Sequence, residues 1–279
     1  MVKKTGDNKK NVINGTNGDD QLFGLGGNDT LNGKGGNDLL SGGKGNDKLF
    51  GGKGADILKG GAGDDTLDPG SDLDADVING GTGIDTVNYS AGTGPVTAYL
   101  AVNTSGQGAT GDSYTAVENV VGTAFGDYLQ NAGGGTAFGG AGADTLYGGG
   151  TINSSEDGGK VRGDAGADVL NMTYGNTLAW LQNGQGTDTI DGYIEGSDNL
   201  FIKLSEFGLG DTFDSSEIVN SNTVTATGTN AQFIYEDDAK NLWFDSNGTN
   251  AGGLTYVAHF VNSTITDANL GTNDFDFIV

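Results

Sequence analysis

The chain has 279 residues, of which 54 are Gly and none Cys, and it carries 37 acidic against 13 basic side chains, a formal net charge of −24. Only 34% of residues are hydrophobic, so one large core is not expected, and disulfides, thiolate nucleophiles and zinc–sulfur sites are excluded. Collagen is excluded by the two prolines, a transmembrane helix by the absence of a long apolar run, and a nucleic-acid partner by the acid excess, which points to cations instead.

Residues 1–13 carry Lys3, Lys4, Lys9 and Lys10 against a single Asp7. No apolar core follows them, so this is not a Sec-type signal peptide, and a flexible basic tail is expected. From Gly15 the chain enters a strict period of nine. The six units read GTNGDDQLF, GLGGNDTLN, GKGGNDLLS, GGKGNDKLF, GGKGADILK and GGAGDDTLD. Slot one is always Gly. Slot four is also always Gly (Gly18, Gly27, Gly36, Gly45, Gly54, Gly63), slot six always Asp (Asp20, Asp29, Asp38, Asp47, Asp56, Asp65), and slot eight always Leu. A disordered Gly/Asn/Asp linker needs no Leu at every ninth residue.

Each slot has a physical reading. Gly permits tight turns that aim carbonyls inward. The residues around Leu form a short strand with one inward side chain. Two units then make a coil with a strand on each side. Leu22, Leu40 and Leu58 stack in one row, and Leu31, Leu49 and Leu67 in the other. The same stacking lines up carboxylates at about 4.8 Å, where bare charges repel by roughly 3 kcal/mol per pair. A hard divalent cation reverses that sign. Calcium takes six to eight oxygens, and an Asp from each of two coils with the intervening Gly-loop carbonyls supplies them; magnesium prefers a small octahedron and keeps its waters.

These units resemble the RTX, or hemolysin-type, calcium-binding repeat G-G-x-G-x-D-x-U-x. The resemblance implies an all-β parallel β-roll with calcium between successive turns and is strongest over 15–68. The i, i+2 pairs 20/38, 29/47, 38/56 and 47/65 predict about four well-formed Ca²⁺ sites in a first roll spanning 14–88.

Past Leu67 the phase slips by two residues, placed at Asp68-Pro69-Gly70, and recovers with Asp76 and with GGTGIDTVN, which supplies Asp85. Residues 89–121 alternate in a β-like way and are expected as an inserted hairpin, with Gly111-Asp112-Ser113 as a turn. A second, degenerate roll is expected over 122–192. Its units GTAFGDYLQ, GGAGADTLY, GDAGADVLN and NGQGTDTID carry Asp127, Asp144, Asp168 and Asp188, with fewer or weaker calcium sites. Residues 193–279 read as a β cap over the last coil, with DNLFIKL, AQFIYE, NLWFD and LTYVAHFV as strands. Its thirteen acidic and two basic residues have no repeat to explain them. This segment resembles the region that follows the repeats in serralysin-type RTX proteins. Its end, Asp276-Phe277-Ile278-Val279, resembles their uncleaved type I secretion signal.

No His-Glu-x-x-His or Gly-x-Ser-x-Gly motif occurs, and the single His259 lies in an alternating strand, where a structural role is expected. The expectation is a secreted, extracellular, non-enzymatic calcium-binding protein, exported by a type I secretion apparatus and unfolded until it meets calcium. Its further partner would be polysaccharide, a host surface or a membrane. The alternatives are a membrane-active protein of the pore-forming or nodulation type, or the non-catalytic module of an RTX peptidase, lipase or polysaccharide-modifying enzyme.

Overall fold

The computed structural model describes residues 1–72, 74–100, 106–107, 111–132, 135–148, 160–172, 177–181, 187–193, 198–203, 218–221, 232–236, 240–245, 254–261 and 275–278. Among these residues every regular element is a strand. The expected all-β parallel roll is what the chain builds.

The period of nine sends alternate units to opposite sides. Gln21–Gly26, Leu39–Lys44, Ile57–Ala62 and Val77–Thr82 pair in parallel in one sheet. Thr30–Gly35, Lys48–Lys53, Thr66–Gly70 and Thr86–Asn88 pair in parallel in a second. These strands are longer than the Leu triplets alone, because they run on through slots one to three of the next unit. Leu22, Leu40, Leu58 and Ile78 stand in exact lateral register. Leu31, Leu49, Leu67 and Val87 do the same opposite them. All eight are fully buried. Each Leu contributes about 1.5–3 kcal/mol of burial, and the thin core is the sum of the two rows.

The turns need left-handed backbone at two slots. In slot four, Gly27, Gly36, Gly45, Gly54 and Gly63 have positive φ, and in slot two so do Gly43, Gly52 and Gly61. Leu25 and Lys34 occupy slot two in the second and third units, both at φ 81°. The fold imposes that conformation on non-glycine residues, at a cost of the order of 1 kcal/mol each.

Three expectations change. Residues 1–13, expected as a flexible tail, make the first coil. Lys3–Thr5 pairs with Gln21–Gly26, and Val12–Asn14 with Thr30–Gly35. The phase slip is not at Asp68-Pro69-Gly70, because Thr66–Gly70 keeps its register with Lys48–Lys53 through Gly52↔Gly70. The two extra residues fall after Gly70, in the turn that precedes Asp76. Finally, the segment 89–121 is woven into the roll. Gly106–Gln107 and Ser113–Thr115 pair antiparallel, as a hairpin should. Yet Ser113–Thr115 also extends the first sheet beside Val77–Thr82, and Asn119–Val121 extends the second beside Thr86–Asn88. Thr97–Tyr99 opens a third sheet, continued by Tyr128–Gln130, Thr145–Tyr147, Val169–Asn171 and Asp188–Asp191.

The second sheet is the continuous spine. Its eleven strands run from Val12–Asn14 through Leu178–Leu181 and Asn199–Lys203 to Phe275–Ile278. Beyond Asp188–Asp191 the third sheet continues in parallel to Leu254–Val261, then through Asn241–Asp245 and Gln232–Glu236, joined antiparallel, and ends in Ile218–Ser221, parallel to the strand before it. Phe233, Leu242, Phe244 and Phe260 are buried there, covering the last coils. His259 hydrogen-bonds Asn241 at 2.9 Å within that sheet. Residues 194–197, 204–217 and Val279, on which parts of the secretion-signal and serralysin-like readings rest, lie outside the described residues.

Candidate metal centre: two rows of aspartates

The slot-six aspartates point inward, not out to solvent. All twelve named above are buried, Asp29, Asp47, Asp56, Asp65, Asp144 and Asp168 to within 1% exposure. Register explains their alignment: the strand after each Asp pairs with the strand two units on, so equivalent carboxyls stack coil on coil. Each reaches back one coil with Oδ1. Asp38 Oδ1 accepts the Asp20 amide at 2.6 Å, and Asp56 Oδ1 the Asp38 amide at 2.7 Å. On the opposite edge Asp47 accepts from Asp29, and Asp65 from Asp47, both at 2.7 Å. The rows continue across the phase slip, with Asp76 accepting from Asp56 and Asp85 from Asp65. The four expected i, i+2 pairs are thus brought together. In the second roll Asp144, Asp168 and Asp188 accept from Asp127, Asp144 and Asp168.

The other oxygen has nothing to bond. Oδ2 of Asp29, Asp38, Asp47, Asp56, Asp65, Asp85, Asp144 and Asp168 is buried and without a hydrogen-bond partner. Such an atom costs about 1–3 kcal/mol, more when charged, so a row of them calls for cations. Slot-one glycine shapes the space around each. A Cβ on Gly33 would lie 2.3 Å from Asp38 Oδ2 and 2.6 Å from the Gly51 carbonyl oxygen. At Gly60 the corresponding distances are 2.3 Å to Asp65 Oδ2 and 2.5 Å to the Gly80 oxygen. These glycines are not left-handed; they are required because carboxylate and carbonyl oxygens crowd against their Cα. Mixed carboxylate and carbonyl oxygens are a calcium donor set. No group of three or more His, Cys, Asp or Glu side chains that could hold a metal forms among the described residues.

Slot four behaves differently from slot one. Gly36, Gly45, Gly54 and Gly63 are left-handed, and each packs its Cα against the backbone of the preceding coil. Gly18, in the first unit, is not left-handed and has open space where a Cβ would sit.

Two aspartates are satisfied within the protein. Asp20 Oδ2 accepts the Thr16 amide at 2.6 Å and the Thr16 hydroxyl at 2.8 Å. Asp127 Oδ2 accepts the Thr123 amide and hydroxyl in the same way. Both blocks therefore open with Gly-Thr, and slot-two Thr caps the first carboxylate. Three ladder members were not legible as such. Asp112, read as part of a turn, accepts the Asp76 amide at 2.9 Å on Oδ1 and the Tyr89 hydroxyl at 2.7 Å on Oδ2. Tyr114, hydrogen-bonded to Tyr89, fills the Leu position beside it. Glu118 Oε2 accepts the Asp85 amide, and Asp198 Oδ1 the Thr177 amide. Their separations of 36, 33 and 21 residues break the nonapeptide spacing, so only strand pairing reveals them.

A second ladder runs along the exposed turns in the opposite sense. The slot-five side chains of Asp19, Asn28, Asn37, Asn46 and Asp64 accept an amide from the following coil, as in Asn37 N to Asp19 Oδ1 at 2.9 Å and Ile84 N to Asp64 Oδ1 at 3.0 Å. It needs no ion.

Burial raises the carboxyls of Asp38, Asp47, Asp56, Asp65, Asp76, Asp85, Asp144, Asp168 and Asp188, and neighbouring carboxylates add to it against the pull of the bound amide. Asp56, Asp65, Asp144 and Asp188 are pushed up to about 7, Asp76 to about 8 and Asp85 to about 6. At Asp20 the Thr16 and Val2 hydrogen bonds outweigh burial and lower it. Raised carboxyls bind protons in the folded chain that the unfolded chain has already released, so stability without metal falls as pH rises from about 4 through about 8. In EDTA the melting temperature by circular dichroism is expected to be higher at pH 5 than at pH 8. A melting temperature that rises with pH in EDTA would contradict this account of the orphaned carboxyls. Since calcium competes with those protons, the trend should flatten or reverse when it is added.

Residues 5–40, 33–67, 41–74, 71–87 and 131–151 each match the profile of the RTX calcium-binding nonapeptide repeat, a profile of four copies. Over those residues the chain is similar to RTX calcium-binding repeats. The matched segments fall on the coils whose carboxyl oxygens are orphaned, including most of the first roll and the Asp144 unit. No curated protein matches the chain. Among solved structures, the extracellular lipase LipA from Serratia marcescens aligns over 98% of this chain and 40% of its own, at 17% identity and a TM-score of 0.32. The chain thus spans about two fifths of the lipase's length.

Proposed function

We propose that this RTX chain is a secreted, non-enzymatic protein that folds on binding extracellular calcium and then serves a binding or cell-surface role. The observation that carries the reading is the row of eight buried carboxylate oxygens without partners. The ions would be held by Oδ2 of Asp29, Asp38, Asp47, Asp56, Asp65 and Asp85 in the first roll, and of Asp144 and Asp168 in the second, with Gly-loop carbonyls completing the set. Bound calcium supplies positive charge that cancels carboxylate repulsion between coils. The chain's own residues do the rest: slot-six Oδ1 fixes each carboxyl against the preceding coil, slot-one Gly leaves room for it, and the Leu rows close the core.

Without calcium the repulsion and the orphaned oxygens act against a core only two residues wide, in a chain of low hydrophobicity and high charge. An ion that binds the folded form alone stabilises it by mass action. Sites of the weak extracellular class, about 10⁻⁴–10⁻³ M, would switch at calcium levels outside the cell. Circular dichroism at pH 8 is expected to move from coil to β on calcium addition, cooperatively and reversibly with EDTA. A chain already β-rich in EDTA and unaffected by calcium at pH 8 would sink the reading. Type I export of the unfolded chain accords with this scheme and is tested by asking whether the C-terminal segment directs a reporter through such an apparatus.

A further inference from the structure

The outer face of the third sheet carries an aromatic ladder that the calcium scheme does not use. Along its strands the middle residues Leu129, Leu146 and Leu170 are fully buried, and the residues on either side of them point outward. On three successive coils the outward positions hold Tyr99, Tyr128 and Tyr147. The ring centroids of Tyr99 and Tyr128 lie 5.3 Å apart, and those of Tyr128 and Tyr147 4.9 Å. Interplanar angles of 57° and 41° keep the rings from covering one another face to face. None of the three is buried, and Tyr99 is 39% exposed.

Polar side chains are set among the rings. Gln130 stands in register between Tyr99 and Tyr147, and Thr145 beside Tyr128. Two coils further, Asn171 follows Tyr147 and donates its side-chain amide to Asp191 Oδ2 at 3.2 Å. None of these residues occupies slot six, and the strip faces away from the inner Asp rows, so calcium and this surface do not compete.

The mixture selects a chemistry. Tyrosine offers a large, rigid ring at little entropic cost on binding, and the ring face attracts partially positive C–H groups. Under a purely apolar partner the interspersed amides, hydroxyls and carboxylate would lose water without gaining hydrogen bonds. A pyranose satisfies both demands, with C–H groups on its faces and hydroxyls around its rim. A strip along the roll suits a polymer. Coils repeat about every 4.8 Å, close to the rise per sugar of an extended β-1,4-linked glycan, so successive sugars can meet successive coils. Charge narrows the choice again. The chain carries −24, and the strip contains Asp191 but no Lys or Arg. An acidic polysaccharide or an anionic membrane would meet a surface of its own sign, and a neutral glycan would not. We infer that this strip binds a neutral, extended β-1,4-linked glycan lying along the roll, with Tyr128 as the central contact. The inference rests on the binding role proposed above and gives its partner a chemical class.

The test uses the full chain in saturating calcium, with its β fold verified by circular dichroism on the same sample. Calorimetric titrations compare cellohexaose with sulfated cellohexaose and with maltohexaose, whose α-linkages curve the chain. Saturable binding of cellohexaose is expected, at least about tenfold tighter than either control. Tyr128→Thr should weaken it by at least about tenfold, the loss typical of a central aromatic contact, whereas Tyr128→Phe keeps the ring and should keep the binding. Threonine already occupies the equivalent position at Thr145; should Tyr128→Thr nevertheless fail to fold, Tyr99→Thr, at the most exposed ring, takes its place. A chain that stays unfolded in calcium would overturn the calcium reading and this one with it. In a folded chain, no saturable binding, equal affinity for either control, or undiminished binding by folded Tyr128→Thr would overturn the glycan site alone. So would binding to anionic phospholipid vesicles, or self-association in sedimentation, that Tyr128→Thr abolishes, since the strip would then belong to a membrane or to a second copy.

Discussion

Replacing Gly33 by alanine is expected to disrupt the first roll, while replacing Gly18 by alanine is expected to leave its stability within about 0.5 kcal/mol of the parent. The two residues are equally invariant across the six units. Their surroundings differ. A Cβ on Gly33 meets Asp38 Oδ2 at 2.3 Å and the backbone oxygen of Gly51 at 2.6 Å. Neither can retreat, because the carboxyl is held by the Asp20 amide and the carbonyl belongs to the next coil. The cost should be about 3 kcal/mol, at the upper end of core overpacking, with a matching loss of calcium affinity as the carboxyl is displaced. Gly18 has nothing within 4 Å of the same position and needs no left-handed backbone. Urea unfolding in saturating calcium measures both variants; equal effects would contradict the crowding at slot one.

Asp47→Asn should do two opposite things. The asparagine oxygen keeps the bond from the Asp29 amide, so the coil contact survives. The buried charge disappears, and with it the orphaned anionic oxygen whose carboxyl burial raises. The metal-free chain at pH 8 should therefore become easier to fold, while the calcium midpoint rises by about tenfold as a charged ligand is lost. Asp47→Ala removes the acceptor too and leaves the Asp29 amide unpaired, at a cost of about 1–3 kcal/mol with or without metal. Calcium titrations and urea midpoints in EDTA separate the variants. If Asp47→Asn binds calcium like the parent, the carboxylate is not a ligand.

The rows of Leu and Asp were legible because each coil repeats one task at one spacing. A period of nine with a single inward residue leaves few other solutions, and strand pairing follows from it. What lay beyond reach was whatever broke the spacing or depended on a neighbouring coil. Asp112 and Glu118 take slot-six roles through strand register alone. Residues 1–13 were misread because their lysines dominate the composition, although Ile13 lies nine residues before Leu22 and carries the periodic signal. Slot-one glycine was correctly singled out, but for the wrong reason. The turn needs slots two and four, and slot one answers to the carboxylate.

Six nearly identical units pose a problem of indexing. A stack displaced by eighteen residues would place Leu on Leu and Asp on Asp as before, so the repeats alone do not say which coil belongs where. The widened turn after Gly70 does. Both Asp rows step by twenty residues there instead of eighteen, from Asp56 to Asp76 and from Asp65 to Asp85. A displaced stack would push those extra residues into a turn with no space for them, and would part Asp112 from the Tyr89 hydroxyl. An irregularity that looks like decay of the pattern thus serves as its bookmark, giving an otherwise self-similar sequence one way to count.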